Sequence, residues 1–115
     1  MKSNRKWIQA LADAPTEQSI SLLGITLTTT TGADETINVL ISGFVSSADV
    51  VNANTVTQGA PLYISAASAG RMTETAPSAA GEIVRAIGHT FWNETDQSNG
   101  VVIVRFNPDN TYIEL

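Results

Sequence analysis

The second half of the chain, residues 56–115, constrains the fold most. Short apolar runs alternate there with turn clusters, at intervals too short for an ordinary helix. Pro61-Leu62-Tyr63-Ile64 is followed by the small-residue turn Ala66-Ala67-Ser68-Ala69-Gly70, and residues 71–74 form another short run. Ala76-Pro77-Ser78-Ala79-Ala80-Gly81 breaks the chain again before the longer apolar run of residues 83–92. Residues 101–106 come next, with Val102, Val104 and Phe106 on one parity, which gives a strand with an inward face. Asn99-Gly100 tolerates positive φ and closes a hairpin between these two runs. Asn107-Pro108-Asp109-Asn110 turns the chain into a last strand over residues 111–115. Pro61 opens its run, where a strand tolerates a missing N–H.

The first half continues the pattern. Residues 19–30 read as a strand whose apolar parity switches between Leu22 and Leu23, which calls for a β-bulge near Gly24. Thr31-Gly32-Ala33-Asp34 is a turn, and residues 35–45 form a second strand. Ile37, Val39, Ile41 and Val45 line one face of it; Leu40 and Phe44 interrupt the polar face. Two readings of Leu40 and Phe44 stand side by side: a contact surface, or a second layer of the same domain. Residues 46–58 are a polar connection. The expectation is an all-β chain: one small β-sandwich or β-barrel over residues 19–115, preceded by an extended N-terminal arm over residues 1–18. Trp7, Ile8 and Leu11 are the apolar points of that arm.

A length of 115 residues suits one domain with its own core. No apolar run approaches the ~18 residues that span a bilayer, so no membrane partner is expected. The chain has no cysteine, which excludes disulfides and thiolate metal sites. The net charge of −5 is unevenly placed. Lys2, Arg5 and Lys6 sit in the first six residues, while Arg71, Arg85 and Arg105 face eleven acids, a net of −8 for the remainder. An acidic body argues against nucleic acid as a partner. The basic start either meets an acidic partner surface or is a solvated tail.

Catalytic chemistry has few residues to use. His89 is the one histidine, there is no Gly-x-Ser-x-Gly turn, and neither a Walker A loop nor Gly-x-Gly-x-x-Gly occurs. Asn93, Glu94, Asp96 and Asn99 offer oxygen ligands for calcium, but their spacing is not that of an EF-hand and polar hairpin loops look the same. Arg85 and Arg105 suit cross-strand pairing with Glu82 or Glu114. The expectation is a chain that is not an enzyme and holds no metal and no cofactor.

Five segments carry a family resemblance: Gly59-Ala60-Pro61-Leu62-Tyr63-Ile64-Ser65, Gly70-Arg71-Met72-Thr73, Ala76-Pro77-Ser78, Ile83-Val84-Arg85-Ala86-Ile87-Gly88 and Ile103-Val104-Arg105-Phe106-Asn107-Pro108. They resemble a β module of tailed-bacteriophage virion proteins, among them capsid decoration (cement) proteins, head fibres and tail-fibre segments. The resemblance covers about half of the chain and its motifs are structural. It implies a virion localisation, a multi-copy homo-oligomer with a trimer favoured by analogy, and the major capsid protein as partner. The expected interface joins Arg5, Lys6, Trp7, Ile8 and Leu11 of the arm to Leu40 and Phe44 of the body. A different reading is a head-fibre or tail-fibre adhesin that binds host glycans through Trp92, Tyr63 or Tyr112.

Overall fold

The computed structural model describes residues 9–13, 17–28, 32, 34–46, 57, 59–93 and 102–115. It is a small all-β domain. Among the described residues, one helical turn, α1 (Glu17–Ile20), precedes nine strands. These are β1 (Ile25–Thr26), β2 (Val39–Leu40), β3 (Gly43–Ser46), β4 (Pro61–Ile64), β5 (Met72–Thr73), β6 (Ile83–Val84), β7 (Ala86–Asn93), β8 (Val102–Phe106) and β9 (Ile113–Glu114). Five form one antiparallel sheet in the order β3-β8-β7-β4-β5; β1-β2 and β6-β9 are two-stranded ribbons.

The large sheet is amphipathic because its strands alternate. Leu62 and Ile64 of β4, Met72 of β5, Ile87 of β7, and Val104 and Phe106 of β8 are buried in one cluster with Ala12 and Leu23. Ile25, Leu40 and Val45 pack against that cluster. Each large apolar side chain so buried stabilises the fold by roughly 1.5–3 kcal/mol. Phe106 sits opposite a glycine on both neighbouring strands, Gly43 on β3 and Gly88 on β7. A Cβ at Gly88 would overlap the Arg105 carbonyl oxygen, and one at Gly43 would press on Leu40 at 3.3 Å.

The N-terminal segment belongs to this body. Ala12 is fully buried, its N–H donates to the Ser65 carbonyl at 3.0 Å, and its carbonyl accepts from Ile83 N–H at 2.8 Å. Gly70 N–H donates to the Ala10 carbonyl at 2.8 Å. Residues 10–12 thus join the β4–β5 turn to β6, within the span read as an extended arm.

Residues 19–30 are not one strand. α1 and a short extended stretch precede β1, and no bulge at Gly24 brings both apolar sets inward. Leu23 is buried and Ile25 half-buried, whereas Ile20, Leu22 and Leu27 are exposed. The reason is Arg85, a long-range partner that local periodicity cannot register. Arg85 is a buried residue, 6% exposed. Nε donates to the Asp109 carbonyl at 2.8 Å; Nη1 donates to the carbonyls of Ser19 at 3.1 Å and Ser21 at 2.7 Å. Those carbonyls turn to the cation and are lost to any strand ladder. Desolvation pulls the Arg85 pKa below the ordinary arginine value, and Asp109 and then Tyr112 act in the opposite direction. The expected pairing of Arg85 with Glu82 or Glu114 is therefore replaced by a carbonyl cage. The Glu82 carboxylate instead accepts from the N–H groups of Ser78 and Ala79, at 2.9 and 2.8 Å.

Residues 35–45 likewise contain two strands, separated by a bend at Ile41-Ser42, after which β3 opens on Gly43 at φ 142°. That break shifts the parity. Leu40 and Val45 both face the core, Ile41 turns outward, and Phe44 is exposed.

Candidate interaction face

The outer surface of the five-stranded sheet carries the most unusual group of side chains. Val45 on β3 and Val104 on β8 point inward, so Phe44 and Arg105 point outward from the same strands. The registers then set a row across four strands: Phe44 opposite Arg105, Arg105 opposite His89, and His89 opposite Pro61. All four are exposed.

Phe91 completes the face. It lies at the irregularity between Thr90 and Trp92 in the β7–β8 register, so it has no cross-strand partner on β8. A bulge re-aims the side chain it carries. Here the ring meets that of Phe44, with centroids 5.1 Å apart and an interplanar angle of 71°. β8 lies between the two strands, which are therefore roughly 9–10 Å apart. Both rings lean over β8 to make an edge-to-face pair, worth about 0.5–1.5 kcal/mol beyond its buried area. Even so, each phenylalanine is 58% exposed. Two adjacent aromatic rings facing water beside an exposed arginine have the composition of an interface core rather than of an ordinary surface.

The expected interface residues separate in the structure. Phe44 is on this face. Leu40 is half-buried against the core and Leu11 is half-buried, so neither adds to the exposed aromatic pair. Arg5, Lys6, Trp7 and Ile8 lie outside the described residues. Phe91 and Arg105 were missed as partners of Phe44, although the alternation of His89 and Phe91 around the buried Thr90 marks them as outward. Of the glycan candidates, Tyr112 is exposed, Tyr63 is half-buried, and the Trp92 side chain lies outside the described residues. The oxygen-rich loop with Glu94, Asp96 and Asn99 lies outside them too. Among the described residues, no three His, Asp or Glu side chains converge to hold a metal ion.

The arrangement offers hydrophobic and cationic contact on a rigid platform. No protein-family model, no curated protein and no solved structure matches this chain.

Proposed function

We propose that the chain is a structural component of a tailed-phage particle, a decoration protein that docks in many copies on the assembled shell. Binding the assembled state alone would stabilise that state by mass action, with no chemistry required. The observation that carries the docking reading is the solvent-facing Phe44–Phe91 pair beside Arg105. The resemblance of residues 59–108 to virion β modules supplies the particle. In this reading the aromatic pair fills an apolar depression on the major capsid protein, and Arg5, Lys6, Trp7 and Ile8 extend the contact with charge and apolar area.

The test is co-sedimentation of the full-length chain with heads of the phage that encodes it. Saturable binding to mature heads is expected, and Phe44→Ser with Phe91→Ser should lower the bound fraction at least roughly tenfold, as loss of two central aromatic anchors does. Wild-type occupancy by the double variant would remove this face from the interface. Absence of binding to heads would defeat the decoration role and leave the fibre-adhesin reading, testable on a glycan array with Tyr112→Ala.

A further inference from the structure

The β6–β9 ribbon ends in an open edge, and the structure shows which atoms line it. Ile83 lies opposite Glu114 and Val84 opposite Ile113. Leu115 N–H donates to the Glu82 carbonyl at 3.0 Å, and Gly81 N–H donates to the Leu115 carbonyl at 2.7 Å. Antiparallel ladders alternate hydrogen-bonded and non-hydrogen-bonded pairs. Ile83 and Glu114 are therefore a non-hydrogen-bonded pair, and the main chain of each points away from the other. Ile83 confirms this, since its N–H donates to Ala12 on the far side of β6. By the same alternation, the N–H and C=O of Tyr112 and Glu114 point to the outer edge of β9. Among the described residues no strand pairs with that edge. Every side chain of residues 111–115 is exposed, and Ile113 is the most exposed large apolar residue, at 64%.

We infer that the outer edge of β9 pairs with the same edge of a second copy of this chain, antiparallel and about a two-fold axis through Ile113. The sequence is self-complementary in this register. Tyr112 of each copy faces Glu114 of the other as a hydrogen-bonded pair that exchanges both main-chain bonds. Ile113 faces its own symmetry mate at the axis, the close-approach position of such a ladder. The two Glu114 carboxylates stay out of direct opposition, where like charges destabilise. Each carboxylate instead lies beside a tyrosine hydroxyl that can donate to it. Val84, paired with Ile113 within each copy, extends the apolar strip on both sides. The product is a four-stranded sheet, β6-β9-β9-β6, with no exposed edge at its centre. The acidic body repels its own copies, and in this register the Glu114 carboxylate on the edge is opposed by an uncharged tyrosine rather than by its mate. This contact does not depend on the decoration role.

The contact is small, so the full-length chain should show a monomer–dimer equilibrium at concentrations on the order of 100 µM. Sedimentation equilibrium measures it. Glu114→Pro deletes an N–H that points outward and leaves the bonds to β6 in place, so it should abolish the dimer without unfolding the protein, as checked by circular dichroism. A register-specific cross-link gives the second readout. The chain has no cysteine, so one introduced thiol is unambiguous. Ile113→Cys places two sulfurs at the axis, at a Cα separation near 4.5 Å that a disulfide spans. Tyr112→Cys places each thiol opposite Glu114 instead. Rapid oxidation of the position-113 variant to a covalent dimer, with little by the position-112 variant, is the expected result. Equal cross-linking of the two variants, a dimer untouched by Glu114→Pro, a strictly monomeric chain, or a trimer such as the resemblance implies would each overturn the two-fold contact.

Discussion

Arg85 shows how one side chain can decide the path of a segment 66 residues away. A charged group so far from water is tolerated only when its donors are satisfied. Here the acceptors are main-chain carbonyls of Ser19, Ser21 and Asp109 rather than an acid. Arg85→Ala would leave these carbonyls short of a partner and open a void, so a loss on the order of 4 kcal/mol is expected in urea unfolding. Arg85→Lys should lose less, because it keeps the charge but not the fork of donors that reaches three carbonyls. Thr90 makes the opposite case. It is fully buried and its hydroxyl has no hydrogen-bond partner among the described residues. Thr90→Val removes that orphaned group at nearly constant shape and should stabilise the fold by about 1 kcal/mol. A melting temperature raised by roughly 4 °C is the corresponding readout.

The elements of the second half were legible because their information is local. Residues 61–64, 72–73 and 102–106 are strands within one or two residues of the expected bounds, and residues 86–93 pair with β8 as the expected hairpin, but residues 83–84 leave that run to pair with β9. Turn chemistry and period-two alternation act over a few residues, and both survive in the fold. The first half was read too regularly. Nothing in residues 19–30 announces that Arg85 will claim two of their carbonyls, and nothing in residues 35–45 states that Gly43 will shift the parity. Phe44 was legible as an aromatic residue on a polar face, with a contact surface and a covering second layer both open; its partner across β8 was not legible, since pairing order is a property of the whole sheet. Gly88 offers a test at this scale. A Cβ there would overlap the Arg105 carbonyl oxygen and crowd the Cα of Phe106 at 3.3 Å. Gly88→Ala should force β7 from β8 and cost on the order of 3 kcal/mol, measured by chemical denaturation.

For the molecule as a whole, the buried core and the exposed aromatic pair reside in different places. The core lies on one side of the sheet and the Phe44–Phe91 pair on the other. Replacing both phenylalanines by serine should therefore move unfolding free energy by no more than about 1–2 kcal/mol, chiefly the aromatic contact itself. The N-terminal boundary between arm and body can be located in the same way. Removal of residues 1–8 should leave a cooperative unfolding transition, whereas Ala12→Leu should overfill a fully buried position and cost about 1–3 kcal/mol. The attachment of residues 10–12 to Ser65, Gly70 and Ile83 has a further consequence during synthesis. Residues 10–12 leave the ribosome well before they can find their place, because their partners are made far later. At about 5–20 residues per second, the ribosome needs on the order of several seconds to pass from Ser19 to Arg85. Through that interval Ala12 and Leu23 remain uncovered on the nascent chain, so a chaperone that holds short apolar segments has a target in residues 10–23 until their partners are made.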